Sequence, residues 1–100
     1  MSQLVPMKEL LSAAHESGYA QGAFNVASLV QADALLEVHR ILRSPAVIQV
    51  GTMALGFLGG ATDYKNASIA SIERGAARIV ERVAARAKAE GVPTALHADH

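Results

Sequence analysis

The last four residues of the chain, His97-Ala98-Asp99-His100, bring two imidazoles and a carboxylate within four positions. Imidazole is a zinc ligand, and a carboxylate left off the metal can move protons, so the tetrad offers a metal ligand beside a general acid or base. The apolar run before it, Val92-Pro93-Thr94-Ala95-Leu96 with His97, reads as a short strand, proline being tolerable at its start. Side chains alternate along a strand, so His97 and Asp99 point one way and Ala98 and His100 the other. By itself the pattern reads equally well as a polar strand end running into a loop. A zinc site normally takes at least three protein ligands, and the other histidines, His15 and His39, fall on predicted helices away from this strand end.

A second chemical position is Asn25, closing the extended stretch Tyr19-Ala20-Gln21-Gly22-Ala23-Phe24-Asn25. At the carboxyl end of a parallel strand it either meets a ligand, as such ends do in α/β folds, or forms a turn. A third is the glycine-punctuated stretch Gly51 to Gly60, predicted as a loop. It matches neither a Walker A phosphate loop nor a dinucleotide fingerprint in spacing. Its Met53, Leu55, Phe57 and Leu58 are unusually apolar for a solvated connection and suit a lid, a subunit contact or a cover over the sheet end.

The elements that must carry these residues follow from periodicity. Met7 to Glu16 has Met7, Leu10, Leu11 and Ala14 at helical spacing, with Pro6 suited to its first position and Gly18 to its stop. His15, in its last turn, where the helix dipole favours a cation, reads as a solvent-facing histidine, with a pH-switch role as the functional alternative. Ser28 to Arg43 opens on a capping-box pattern, Ser28-x-x-Gln31, and carries an apolar face on which His39 is a partly buried structural residue. Ser44-Pro45 ends it. Ala46-Val47-Ile48-Gln49-Val50 has the continuous apolar character of a strand covered on both faces, as in a parallel sheet.

Asp63 to Glu90 is predicted as one long helix capped by Thr62 or Asp63, with Ile69, Ile72, Ala76, Ile79, Val80, Val83 and Ala87 as its buried face. Arg74, Arg78, Arg82 and Arg86 form a basic row on its flank. Glu73 and Glu81 beside them make this a solvated face rather than a nucleic-acid site. Helix, strand, helix, strand, helix, strand, joined by helical crossovers, implies right-handed βαβ units and a parallel sheet.

Composition narrows the partners. Lysine plus arginine and aspartate plus glutamate number nine each, leaving no net field to attract nucleic acid or an anionic membrane. A 51% hydrophobic and 18% charged chain is globular, and the absence of cysteine removes disulfides and thiolate ligands. No apolar run approaches the roughly 20 residues of a membrane span, and no secretory signal opens the chain. The expectation is a cytoplasmic protein with no membrane or nucleic-acid partner.

Taken together and in order, Pro6-Met7-Lys8-Glu9-Leu10-Leu11, Gly18-Tyr19-Ala20 leading to Gly22-Ala23-Phe24-Asn25-Val26, Ser44-Pro45-Ala46-Val47-Ile48 and Val92-Pro93-Thr94-Ala95-Leu96-His97-Ala98-Asp99-His100 resemble the class II, metal-dependent fructose-bisphosphate and tagatose-bisphosphate aldolases. The resemblance implies an α/β fold, the N-terminal part of a TIM (β/α)8 barrel with a leading helix and the first three parallel strands. Residues 1–100 would then be an incomplete portion of one barrel domain.

It further implies reversible aldol cleavage of a phosphorylated ketose, with Asp99 as catalytic acid/base and His100 as a ligand of Zn2+. The metal polarises the ketone of dihydroxyacetone phosphate and stabilises the enediolate, while the aspartate handles the proton of the aldehyde oxygen. Asn25 and Thr52 would contact a small-molecule sugar phosphate, and the complete protein would be a homo-oligomer. Gly51 replaces a serine usual in the family, Val30 replaces a common glutamate, and the helix ending at Glu90 looks longer than usual. The isolated chain is expected to be inactive, because the remaining metal ligands lie further on in the family. The rival reading is a non-catalytic α/β fragment that acts by association.

Overall fold

The computed structural model describes residues 4–99. Its elements run α1 (Met7–Ser17), β1 (Ala23–Asn25), α2 (Leu29–Leu42), β2 (Ala46–Gly51), α3 (Thr52–Leu58), a 3-10 turn (Tyr64–Asn66), α4 (Ile69–Glu90) and β3 (Thr94–Asp99). The strands form one parallel sheet in the order β1-β2-β3. Two βα crossovers therefore link neighbouring strands, as the alternating pattern requires.

Strand β2 shows one face to α2 and α4 and the other to α1. Ala46, Ile48 and Val50 of β2 are buried with Leu36 of α2 and Ile79 and Val83 of α4, which is the main core. Val47 and Ala95 face the other way and are buried with Leu10 of α1. The leading helix thus covers the amino-terminal end of the second face. Val5 N–H donates to the Thr94 carbonyl at 2.9 Å, and Leu4 bridges Thr94 in parallel, so the start of the chain is pinned to β3.

Helix α2 is capped as its sequence predicts: Ser28 Oγ accepts from Gln31 N–H at 3.2 Å. The return arm lands one residue early, Gln31 Oε1 accepting from Ala27 N–H at 2.7 Å. His39 is buried, its Nδ1 2.7 Å from the Leu35 carbonyl and its ring edge-on to Phe24. That is the structural role expected of it.

Four expectations about the extent and type of the elements change. The first strand is only Ala23–Asn25, because Tyr19 to Gly22 carries no ladder pairing. The third lies further on, Thr94–Asp99, so the ladder extends through the chemical residues themselves. Thr52–Leu58 is helical, not a loop. The long helix begins at Ile69, capped by Ser68, whose hydroxyl accepts from Ser71 N–H at 3.1 Å.

The buried face of α4 also turns, to Ser71, Gly75, Ile79, Val83 and Ala87, leaving Ile69 76% and Val80 47% exposed. Its cause is the short helix α3. A Cβ on Gly75 would lie 1.8 Å from the Leu55 carbonyl oxygen, and one on Gly59 would lie 1.7 Å from that of Ser71. The two backbones touch, and the small residues Ser71 and Gly75, four apart on α4, are what permits it.

The arginine row is committed to neighbouring elements rather than simply solvated. Arg74 donates to the Gly59 carbonyl and to Ser71 Oγ, and Arg78 donates to the Leu58 carbonyl at 2.6 Å, satisfying the end of α3. Arg82 pairs with Asp33 of α2 through Nε and Nη2, and Arg86 bridges Asp33 and Glu90.

The hydrogen bonds from Arg82, with the charges of Arg82 and Arg86, hold the Asp33 carboxyl below its ordinary 3.8 against the opposing effect of burial. A depressed carboxylate stabilises the fold above its unfolded-state pKa, and that contribution is lost as pH falls through the lowered folded-state value. Asp33→Asn should therefore lower the melting temperature at pH 7 but not in strong acid, where the two proteins converge. Thermal melts across an acid pH series measure this.

Candidate functional site

The candidate functional face is the one that α1 leaves open above Val47 and Ala95. Strand register stacks its residues in layers: Asn25 pairs with Gln49 and Gln49 with His97, and one pleat further on Gly51 pairs with Asp99. Asn25, Gln49 and His97 thus form a polar belt across all three strands near their carboxyl ends. Gln49 Nε2 donates to Asn25 Oδ1 at 2.7 Å, and Gln49 Oε1 lies 3.1 Å from His97 Nδ1.

Above the belt opens a cleft of about 840 Å³ onto which Asn25, Gln31, Gly51, Thr52 and Asp99 converge. Strand β2 feeds directly into α3 at Gly51-Thr52, which sets Thr52 on the rim. Met53 and Phe57 of α3, with Tyr64 of the 3-10 turn, make the apolar wall. Half-exposed Met53 and Phe57 are therefore the cleft's own lining, whereas Leu58 is buried in the main core.

Three of the four residues singled out by sequence, Asn25, Thr52 and Asp99, thus share one cleft. The fourth, His100, lies outside the described residues. His15 and His39 are elsewhere: His15 is exposed on α1, and His39 stands with Pro45 and Pro93 at the opposite, amino-terminal end of the strands.

Gln49, Gln31 and Tyr64 were not picked out from the sequence. For Gln49 a signal was visible, since it is the only polar residue in the run Ala46–Val50. Among the described residues no three histidine, aspartate or glutamate side chains gather as a metal site. The described donors alone do not fit a zinc ion.

What the site can do follows from its lining. A carboxylate at a strand end, amide and hydroxyl groups around it and an apolar wall suit a small oxygen-rich molecule undergoing proton transfer. A Cβ on Gly51 would sit 3.4 Å from the Asp99 carbonyl oxygen, an ordinary van der Waals contact, so a small side chain could be accommodated there.

Residues 5–100 match the family model for class II fructose-bisphosphate aldolase. The chain is 34% identical over 96 residues to a 6-phospho-5-dehydro-2-deoxy-D-gluconate aldolase of Bacillus licheniformis, covering 96% of this chain and 28% of that protein. It is 34% identical over 92 residues to a fructose-bisphosphate aldolase of Schizosaccharomyces pombe, covering 92% and 25%. The crystal structure of fructose-bisphosphate aldolase from Campylobacter jejuni superposes with a TM-score of 0.80 at 32% identity, over 94% of this chain and 26% of that one. The chain spans about a quarter of the length of these relatives. Its three parallel strands and their helices correspond to the N-terminal part of a TIM-barrel fold, and the chain belongs to the class II fructose-bisphosphate aldolase family.

Proposed function

We propose that residues 1–100 form the opening portion of one barrel domain that catalyses reversible aldol cleavage of a phosphorylated ketose to dihydroxyacetone phosphate and an aldehyde. The observation that carries this reading is the convergence of Asp99, Asn25 and Thr52 on one cleft at the carboxyl ends of the strands, where barrel enzymes keep their chemistry. Asp99 serves as acid and base at the aldehyde oxygen, donating a proton in cleavage's reverse and removing it in cleavage. Asn25 and Thr52 bind substrate oxygens. His100 supplies one ligand to a zinc ion whose other ligands lie outside this chain. The working enzyme is cytoplasmic and homo-oligomeric.

The test is an aldol-cleavage assay of the full-length natural polypeptide with ketose bisphosphates. Cleavage is expected, together with its loss on chelation and its recovery on adding zinc. A 1–100 piece alone should be inactive. If the full-length protein neither cleaves such substrates nor binds zinc, the non-catalytic reading stands instead, and Gly51 in place of the family serine is the residue that already leans that way.

A further inference from the structure

The polar belt below the cleft has a direction. Gln49 is held between two neighbours, and its single amide gives one donor and one acceptor to them. Its NH2 is spent on Asn25 Oδ1 at 2.7 Å, so the atom facing His97 Nδ1 at 3.1 Å is a carbonyl oxygen, which can only accept. His97 must then carry its proton on Nδ1, leaving Nε2 as a bare lone pair. At the other end Asn25, its oxygen occupied, is left with its NH2 for the cleft that it lines.

We propose that Gln49 is a positioning residue that fixes this polarity, holding His97 as the Nδ1–H tautomer and turning the amide NH2 of Asn25 toward the bound molecule. The ladder makes the device rigid. Asn25, Gln49 and His97 are direct register partners on three adjacent strands, so none of the three side chains can leave the row without breaking its bond to the next.

Reversing the chain would invert both ends together. Gln49 would donate to His97, forcing the Nε2–H tautomer, and Asn25 would show its carbonyl oxygen to a cleft that already holds the Asp99 carboxylate. Two acceptors would then face an oxygen-rich ligand. The observed direction instead offers that ligand a donor. The inference rests on the aldolase reading only for the identity of the molecule that Asn25 meets, and the tautomer stands apart from it.

The experiment is long-range 1H–15N NMR of the histidine rings in the full-length natural protein at a pH where imidazole is neutral, with His97 assigned by its disappearance in His97→Phe. The wild-type ring is expected as Nδ1–H. Gln49→Met, which can neither accept nor donate in this way, should shift it toward the Nε2–H form with the circular dichroism spectrum unchanged. Gln49→Glu separates the two ends: a carboxylate still accepts from His97 and keeps the tautomer, but it cannot donate to Asn25, which turns its NH2 inward. For a ketose bisphosphate, KM should then rise roughly tenfold with kcat little changed.

A wild-type His97 in the Nε2–H form overturns the proposal, as does a Gln49→Met protein whose His97 keeps Nδ1–H. The tautomer is read from the wild-type spectrum, and His97→Phe serves only to assign its signal. An Nδ1–H ring in a protein without aldolase activity would remove the aldolase reading and leave the inference intact.

Discussion

Asp99→Asn in the full-length protein is expected to lower kcat for ketose bisphosphate cleavage by about a thousandfold, within the range typical of losing a positioned acid or base. The amide has nearly the shape of the carboxylate and stays on the cleft rim next to Gly51, so substrate should still enter and KM should change little. The change falls on the proton-transfer step alone. Steady-state kinetics on the purified variant, with melting temperature as a check on folding, tests this. A variant retaining more than about a tenth of wild-type kcat would take Asp99 out of the acid/base role.

The largest expected effect on stability is at a residue with no side chain. Gly75→Ala places a methyl 1.8 Å from the Leu55 carbonyl oxygen, and Gly59→Ala places one 1.7 Å from the Ser71 oxygen. Neither obstacle is a side-chain end that could swing aside; both are backbone. Relief requires α3 and α4 to separate. The cost should therefore exceed the about 1–3 kcal/mol of ordinary overpacking.

Separation would also undo the Arg74 and Arg78 bonds to the Gly59 and Leu58 carbonyls and shift Met53 and Phe57, which wall the cleft. Stability and substrate binding should fall together. Gly51→Ala is the control, since its Cβ would lie 3.4 Å from the nearest atom and should alter stability little. Denaturant or thermal melts of the three variants rank them, and a Gly75→Ala protein as stable as Gly51→Ala would disprove the backbone contact.

What the sequence revealed and what it hid divide along physical lines. The helices α1 and α2 and the strand β2 were legible because each is a local pattern: an apolar period of 3.6, a Ser28 cap, a β-branched run. Helix α3 was hidden because Gly51, Gly56, Gly59 and Gly60 read as loop residues, whereas Gly56 and Gly59 are there to let another segment come close. Those approaches are to Tyr64 and Ala67 for Gly56 and to Ser71 of α4 for Gly59, which no local window around the glycines contains.

The same contact rotated the buried stripe of α4 away from Ile69 and Val80 toward Ser71 and Gly75. Small residues carry little hydrophobic signal, so periodicity chose the larger ones. In the site, Asn25 and Asp99 were legible as polar groups at strand ends. The role of Gln49 was not, because a hydrogen-bonded row across three strands exists only once their register is known.

The bond from Val5 to Thr94 and the packing of Leu10 against Ala95 have a consequence for the order in which the protein is made. The partners of the leading segment lie almost at the far end of these 100 residues. Within this region α1 is made before β2 and β3, and its docking surface, shared between Val47 of β2 and Ala95 of β3, is complete only once β3 has left the exit tunnel and paired with β2. Until then Leu10 can cover Val47 alone. The two crossover units can assemble as they appear, and the leading helix of this region completes its contacts only when the last strand is in the sheet.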